Sequence, residues 1–461
     1  MPSLPDLSMH FFLQMAVILL ASRLVWLLFR RLGQVQVVAV MATGFLLGPS
    51  VLGAVSPAAQ DWLFPATIQI GGAAVPHPSL AVIYVVGQLG LVLYMFLVGA
   101  AFETDIFTAH FRVARATAAA GVVVPMLLGG VTGAVLATRG GYFTDKIGSW
   151  QAALFLAAAI AITAFPILAW IIHDSGLHHT RLGTMALACA ASDDALSWLL
   201  LATVVATTKD SMNGAVVALV GGGGFVLFMF LIGRRLLRAL NGWADRQMRG
   251  ADGPTLPIAP FIAILLVVLL SAWFTDLVGV YAVFGAFVAG VVLPRGQLLE
   301  QVRARTEPLV SHLLLPAFFV YSGLNTQLGL ILAPSAMIVA TGVLVISFGA
   351  KFGAVTLAGR YQGMSWREAG SMGSLANARG LTELILLNIG LAEGLITPTL
   401  YTILALMAFV TTCAATPIFR LFERSAWKNG LVFGADGETP FLPSDPAASP
   451  HRVRMHGRVL R

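Results

Sequence analysis

Hydrophobic residues in this chain fall into long runs separated by short polar segments. A run of about 20 residues is long enough to cross roughly 30 Å of hydrocarbon as an α-helix. The pattern predicts an all-α membrane protein with about 13 transmembrane helices, at residues 9–29, 36–55, 79–99, 116–137, 150–172, 184–206, 212–233, 257–275, 277–293, 309–324, 331–356, 369–390 and 397–419. Asp276 is predicted to mark the turn between the eighth and ninth spans.

The basic residues of the loops indicate how these spans are oriented. With the N-terminus outside, nearly every Lys and Arg between spans lies on the inner side, and only Arg139, Lys146 and Lys209 lie on the outer side. Because cytoplasmic loops carry such an excess, we predict an outer N-terminus and a cytoplasmic C-terminus in a bacterial inner membrane. The first run has no Lys or Arg before Arg23, so it is interpreted as a retained span and not as a cleaved signal peptide.

Composition excludes a soluble globular protein. Hydrophobic residues make up 58% of the chain and charged residues 11%, against roughly 45–50% and 25% in soluble domains. The net charge of +7 comes from loops and the C-terminal region, which is typical of membrane topology and not of a nucleic-acid groove. Residues 424–461 are rich in Pro, Gly and Ser and are predicted to form a short disordered tail after a membrane domain at residues 1–423.

Five charged residues lie well inside predicted spans: Asp193, Asp194, Lys351, Arg379 and Glu383. A charge at the centre of a transmembrane helix costs about 2.5–3.5 kcal/mol, so these groups are expected to share a polar interior or a water-filled cavity. Three acids against two bases leave one surplus negative charge. Such a site binds a cation or a proton, and the two compete for it.

Asp193 and Asp194 are adjacent, and neighbouring helical residues point about 100° apart. One carboxylate can therefore face an aqueous cavity while the other faces a protein partner, for which Lys351 is the natural candidate. The alternative is a buried ion pair that only fixes the helix register. A single pair could do that, but it would not need the additional acid.

Two spans are predicted to be broken helices. Pro166 lies near the middle of the fifth span, in the segment 163–166, where proline disfavours helix at the preceding residue. Polar and charged residues interrupt the twelfth span at 377–383. Interruptions in corresponding positions of two halves are typical of a transporter binding site, whereas an ordinary proline kink is the alternative for the fifth span alone.

Other chemistry is weakly indicated. The sequence has no metal-ligand spacing and no nucleophile triad, so neither an enzyme nor a resident cofactor is predicted. His173, His178 and His179 cluster in a predicted cytoplasmic loop, where a solvated loop is favoured over a pH sensor.

Several short motifs occur in an order that is specific to one family. They are residues 44–50 (Gly-Phe-Leu-Leu-Gly-Pro-Ser), 94–99 (Tyr-Met-Phe-Leu-Val-Gly), 163–166 (Thr-Ala-Phe-Pro), Asp193-Asp194 with Trp198, 284–287 (Phe-Gly-Ala-Phe), 321–324 (Tyr-Ser-Gly-Leu), Lys351 and 377–384. Over about residues 30–420, the chain resembles the monovalent cation:proton antiporters, in particular the bacterial and plant branch of sodium/proton and potassium/proton exchangers.

The resemblance implies thirteen helices with an inverted-topology repeat and two crossed broken helices. It implies core helices at about 116–206 and 331–419, and dimerisation helices at about 9–99 and 257–324. A homodimer in membrane lipid that exchanges Na⁺ or K⁺ for protons by alternating access is the expected assembly and activity.

By matching positions, the resemblance implies that Asp194 carries the cation and the proton, that Asp193 pairs with Lys351, and that Thr163 lies near the ion. Asp194, Asp193 and Thr163 are therefore expected to form the cation- and proton-binding site, with the two aspartates as ligands of the monovalent cation. Two adjacent aspartates imply electrogenic exchange. The crossing of the broken helices is expected to involve Pro166, Asn377, Arg379 and Glu383.

The chain also departs from its relatives. Some have an acid near the position of Val40 and a histidine near that of Tyr281, so roles of those residues cannot be transferred. The tail at 424–461 is expected to be too short for the nucleotide-binding domain of glutathione-gated potassium-efflux relatives.

Two other classes of function remain open at this point. A sodium-coupled organic-anion symporter of a related inverted-repeat fold would need a cation to bind the anion, and only Arg379 is left if Lys351 pairs with Asp193. A cation channel or a sensor that has lost transport is disfavoured, because there is no filter-like loop of carbonyl donors and no signalling domain.

Overall fold

The computed structural model describes residues 3–70, 73–101, 104–174, 212–249 and 256–422, together with residues 182–183, 185–187, 189–190, 193, 200 and 203. Almost all of this part of the chain is helical. Many large apolar side chains are exposed along the long helices, among them Leu127 and Leu270. Soluble monomers rarely expose so much contiguous apolar surface, so the exposed belt is the lipid-facing surface of an integral membrane protein.

Among the described residues up to 228, the chain forms one short two-stranded sheet and nine helices. The strands are β1 (Thr67–Ile70) and β2 (Ala73–Pro76), and the helices are α1 (Leu4–Arg31), α2 (Gln36–Leu47), α3 (Leu52–Val55), α4 (Pro57–Leu63), α5 (Pro78–Ala101), α6 (Thr104–Arg139), α7 (Ser149–Ala161), α8 (Phe165–Asp174) and α9 (Met212–Phe228).

A π-helical turn at Met229–Gly233 joins α9 to the next helix, and a second π-helical turn occurs at Val310–Leu314. The second half contains α10 (Arg234–Arg249), α11 (Ile258–Leu277), α12 (Ala282–Val292), α13 (Gln297–Leu309), α14 (Leu315–Leu324), a 3-10 turn (Leu328–Ile331), α15 (Pro334–Tyr361), α16 (Trp366–Ala376), α17 (Leu381–Ala392) and α18 (Pro398–Phe422).

The predicted fold class is confirmed. In the ranges that the structure describes, nine helices are long and apolar enough to cross a membrane, and Ser149–Ala161 and Ala282–Val292 are shorter apolar helices. Twelve of the predicted spans coincide with helices or with pairs of half-helices. The sixth span, 184–206, lies mostly outside the described residues.

Two details differ from the sequence-based expectation. The turn between the eighth and ninth spans does not fall at Asp276, which is still within α11, but at residues 278–281. Gly279 and Tyr281 have φ angles of 82° and 72° there, a conformation that glycine adopts easily and tyrosine rarely. The strands at 67–70 and 73–76 were not predicted, because they lie between two span-length hydrophobic runs and not within one.

Glycines allow α2 and α5 to approach α14 closely. α2 crosses α14 where a Cβ on Gly48 would lie 2.7 Å from the carbonyl oxygen of Gly323. α5 crosses α14 where a Cβ on Gly87 would lie 2.8 Å from the Cα of Phe318. Small residues at such crossings let backbones pack directly, which is the main source of helix association in lipid.

The helices pack in two sets. The helices of the first set, which contact one another, are α1, α2, α5, α11, α12 and α14. The helices of the second set, which also contact one another, are α6, α7, α15, α16, α17 and α18. α2 lies against α18 between the two sets, where the rings of Phe45 and Phe409 meet edge to face with centroids 5.2 Å apart. The largest hydrophobic cluster runs through both sets, so this boundary is mainly apolar.

Candidate functional site

Two helices break opposite each other near the middle of the bundle. α7 ends at Ala161 and α8 begins at Phe165, while α16 ends at Ala376 and α17 begins at Leu381. The amide of Ala164 donates to the carbonyl of Ala378 at 2.9 Å, so the two breaks contact directly. The predicted crossing of two broken helices is therefore present.

Local sequence explains where each break falls. Pro166 is the second residue of α8, where the missing amide hydrogen costs no helical bond. Gly380 precedes α17 with φ 140°, and a Cβ there would collide with the side chain of Ile167. Asn377 donates from Nδ2 to the carbonyl of Gly373 at 3.0 Å, so its amide closes the end of α16.

Arg379 covers the end of α7 across the crossing. Its guanidinium is fully buried and donates to the carbonyls of Ala159, at 2.8 Å, and Ile160, at 2.6 Å. The last carbonyls of a helix have no partner within the helix and carry the negative end of its dipole. A buried arginine therefore satisfies two of them and offsets their partial charge.

Glu383 compensates the positive charge of Arg379. Its carboxylate is buried in the first turn of α17, with Oε2 3.6 Å from Arg379 Nη1. A carboxylate in the first turn of a helix is also stabilised by the helix dipole. The backbone of Arg379 is fixed from the other side by Thr412, whose hydroxyl accepts from its amide at 3.0 Å.

Lys351 and Asp193 form a second buried ion pair. Lys351 Nζ lies 2.9 Å from Asp193 Oδ2, and it also donates to the carbonyl of Ala161 at the end of α7. The hydroxyl of Thr163 donates to the same carboxylate oxygen at 2.6 Å and lies 3.1 Å from the carbonyl of Ala376. The break in α7 thus places a hydroxyl and a carbonyl beside a charged pair.

A narrow cavity adjoins this pair. It is lined by Thr163, Cys189, Asp193 and Lys351 and, on the remaining sides, by small or apolar residues of α6, α8, the sixth predicted span, α15 and α16. Across the residues that the structure describes, no cluster of three or more His, Cys, Asp or Glu side chains could hold a metal ion. The donors near the crossing are instead carboxylate, hydroxyl and backbone carbonyl oxygens, which suit alkali cations and protons.

Most residues of this arrangement could be predicted from the sequence, but some could not. The predicted residues that lie at the crossing are Thr163, Asp193, Lys351, Asn377, Arg379 and Glu383. Asp194, Trp198, His178 and His179 lie outside the described residues, and for Pro166 and His173 only the helical backbone of α8 is described. The carbonyls of residues 159–161 and the hydroxyl of Thr412 were not predicted. Only the expected helix break could have indicated such carbonyls.

These features define a class of protein. Two broken helices that cross within an apolar bundle, with paired buried charges at the crossing, are typical of secondary membrane transporters. Residues 16–423 match the family model described as "Sodium/hydrogen exchanger, transmembrane", and the chain belongs to that family.

Individual relatives agree with this assignment. The chain is 37% identical to the Na(+)/H(+) antiporter NhaS4 of Synechocystis over 87% of its own length and 94% of that protein. It is 32% identical to Cation/H(+) antiporter 20 of Arabidopsis thaliana over 88% of its length, but spans only 47% of that longer protein. The sodium proton antiporter MjNhaP1 of Methanocaldococcus jannaschii has the same fold, with a TM-score of 0.56 at 15% identity over 92% of this chain and 98% of that one.

Proposed function

We propose that this protein exchanges a monovalent cation, Na⁺ or K⁺, for protons, with Asp194 as the group that binds one or the other. The observation that carries the proposal is the pairing of the charges at the crossing. Lys351 is engaged by Asp193 and Arg379 faces Glu383. Three acids and two bases lie in the predicted spans, so by formal charge one acid is in excess, and we assign this role to Asp194.

Competition at one carboxylate couples the two ions. A carboxylate that binds a proton cannot at the same time bind a cation, so each bound species must leave before the other enters. If the site faces only one side of the membrane at a time, each cycle moves a cation one way and protons the other. The family description and the name of NhaS4 support sodium as the cation.

Oxygens at the crossing of the broken helices are of the kind that binds a monovalent cation. Thr163, at the break of α7, supplies a hydroxyl oxygen, and the half-helix ends supply carbonyls. Arg379 and Lys351 already cover the carbonyls of residues 159–161. In this proposal the positive charges stabilise the crossing, and oxygens at the helix breaks, such as the hydroxyl of Thr163, contribute to binding the transported ion.

Movement between the two sets of helices provides alternating access in this proposal. Core helices at about 116–206 and 331–419 would move against dimerisation helices at about 9–99 and 257–324. The mainly apolar boundary supports this division, because apolar surfaces slide past each other without breaking many hydrogen bonds. We further propose a homodimer in a bacterial inner membrane, with the N-terminus outside, and electrogenic exchange.

Transport in liposomes tests the proposal. The purified protein is reconstituted with an imposed pH gradient, and a pH-sensitive dye is followed while Na⁺, Li⁺, K⁺ or Rb⁺ is added. We expect at least one ion to collapse the gradient, and Asp194→Asn to abolish this while leaving folding intact. Asp145→Asn is the matched control, because this aspartate lies in an exposed loop. Substantial exchange by Asp194→Asn contradicts the carrier role.

An organic-anion symporter is less well supported. Such a transporter needs a positively charged side chain that is available to bind the organic anion. The guanidinium of Arg379 is fully buried and donates to two carbonyls, and Lys351 is held by Asp193 and the carbonyl of Ala161. If no cation collapses the pH gradient, uptake of labelled organic anions is the assay that decides for this class.

A further inference from the structure

A buried polar network joins the two sets of helices at one end of the bundle. Asn388 of α17 donates from Nδ2 to the hydroxyl oxygen of Ser322 on α14 at 2.7 Å. The hydroxyl of Ser322 in turn donates to the carbonyl of Phe318 at 3.0 Å. The hydroxyl of Tyr401 on α18 lies 2.9 Å from the carbonyl of Ser322 and 3.0 Å from Asn388 Oδ1, and shares its hydrogen between them.

All three side chains of this network are shielded from solvent. The exposed fractions are 2% for Ser322, 6% for Asn388 and 0% for Tyr401. A buried polar group that loses its partner costs about 1–3 kcal/mol. The network therefore holds together only when α14 stands at one position relative to α17 and α18.

Each half of the network is fixed within its own set of helices. Ser322 precedes Gly323, which packs directly on the backbone of Gly44 in α2. Asn388 and Tyr401 lie on two adjacent helices of the other set and bond to each other. The network is thus a contact between the two sets of packed helices. Displacement of one set by a few ångströms would break all of its hydrogen bonds between the sets together.

A second contact supports the same end of the bundle. The amide of Gln327, just after α14, donates to the hydroxyl of Thr402 at 3.1 Å. Ser50, which follows α2, donates to the carbonyl of Thr326 at 2.6 Å and accepts from the amide of Leu328 at 3.1 Å. Apolar rings such as Phe45 and Phe409 fill the boundary further along α18, and beyond them Gln34 donates from Nε2 to the carbonyl of Cys413 at 3.0 Å.

We propose that Ser322, Asn388 and Tyr401 form a latch that holds the core against the dimerisation helices in the conformation seen here, and that opens in every transport cycle. This rests on the proposed function, since a latch has a role only if the two sets move. The latch stabilises one conformation and not the other. It therefore sets the ratio between the two conformations of the transport cycle and the rate at which the two sets of helices separate at this end of the bundle.

Reversible cross-linking tests the latch. Ser322→Cys and Asn388→Cys are combined in a background with Cys189→Ala and Cys413→Ala, and a disulfide is formed with a mild oxidant. We expect exchange in liposomes to fall in proportion to the oxidised fraction and to return on reduction. If the fully oxidised protein exchanges ions as fast as the same protein with its cysteines reduced, the proposal is overturned.

A second disulfide is the matched control. Phe143 and Ile396 form an isolated antiparallel bridge between two loops at the same end of the bundle, and both lie in the proposed core. The pair Phe143→Cys and Ile396→Cys therefore joins parts that move together. We expect its oxidation to leave the exchange rate unchanged, and inhibition equal to that of the first pair would overturn the latch as a specific contact.

The hydrogen bond from Tyr401 is tested separately from transport. In the Ser322→Cys, Asn388→Cys protein, Tyr401→Phe removes the remaining bond to the carbonyl of Ser322. We expect the disulfide to form about two- to tenfold more slowly, since one hydrogen bond contributes that much to an equilibrium. Thr411→Val is the control, because this buried hydroxyl donates to the carbonyls of Met407 and Ala408 in its own helix.

The two readouts separate the possible failures. If the protein exchanges no cation, the proposed function fails, but the rate of disulfide formation still reports whether Tyr401 stabilises the closed arrangement. If exchange is intact and Tyr401→Phe cross-links at the rate of Thr411→Val, the latch is wrong while the proposed function stands.

Discussion

The two buried ion pairs at the crossing differ in how they are built. Lys351 and Asp193 come from different helices, with 2.9 Å between Nζ and Oδ2, and a cavity adjoins them. Arg379 and Glu383 come from one segment, 3.6 Å apart, and the guanidinium bonds mainly to the carbonyls that end α7.

This difference separates a structural charge from an adjustable one. Arg379 completes the hydrogen bonding of a helix end, so its removal exposes backbone groups as well as a carboxylate. Lys351 mainly neutralises the carboxylate of Asp193 and donates a hydrogen bond to one carbonyl. A pair of that kind can be replaced as a pair by neutral groups at little cost in stability. Substitutions can therefore distinguish the two pairs.

The largest effect is expected from Arg379→Met. It leaves Glu383 buried without a counter-charge and the carbonyls of Ala159 and Ile160 without donors. Breaking a buried pair in this way costs about 3–5 kcal/mol, so we expect the protein to lose most of its monodisperse yield in detergent. Adding Glu383→Gln should restore little, because the carbonyls remain uncovered. Recovery of wild-type thermal stability by the double variant would falsify the capping role of Arg379.

The pair Lys351 and Asp193 is expected to respond in the opposite way. Lys351→Met alone leaves a buried carboxylate and should cost about 3–5 kcal/mol, whereas adding Asp193→Asn should recover most of that loss. Thermal unfolding of both variants in detergent measures the difference. If the double variant is as unstable as the single one, the two pairs are not distinct in kind.

A smaller effect is expected at the turn that positions Arg379. Gly380→Ala places a Cβ at φ 140°, against the side chain of Ile167. Strain of this kind costs about 1–3 kcal/mol, and we expect a lower melting temperature with the ion specificity unchanged. Gly342→Ala in α15 is the control, because a Cβ there meets no neighbour within 4 Å. Equal melting temperatures for the two variants would contradict the requirement for glycine at 380.

An effect of comparable size, on ion binding and not on folding, is expected from Thr163→Val. It removes the hydroxyl that donates to Asp193 Oδ2 while keeping the side-chain shape, and a hydrogen bond to a charged group contributes about 1.5–3 kcal/mol. We expect a lower apparent cation affinity and a displaced pH profile of exchange, with folding intact. Thr163→Ser, which keeps the hydroxyl, should restore both. A wild-type profile for Thr163→Val would place the ion away from this break.

Much of the architecture could be predicted from local patterns. Span-length hydrophobic runs predicted the helices, and Pro166 and the polar residues from 377 to 383 predicted both breaks. The five charges within spans predicted a shared polar site, because isolated charges in lipid are too costly. The turn after α11 was placed wrongly at Asp276, since Gly279 and Tyr281, not the acid, take the unusual backbone conformation.

The amino-acid sequence by itself therefore determined the membrane class, the helices, the breaks and the charges that must meet. Only the tertiary structure decided which groups pair: that Arg379 covers the end of α7, that Thr163 serves Asp193, and that Ser322 meets Asn388 and Tyr401. The physical reason is that hydrophobic periodicity and burial cost depend on a residue and its neighbours in the chain. Hydrogen bonds between distant segments depend on how the helices cross, which no local pattern specifies.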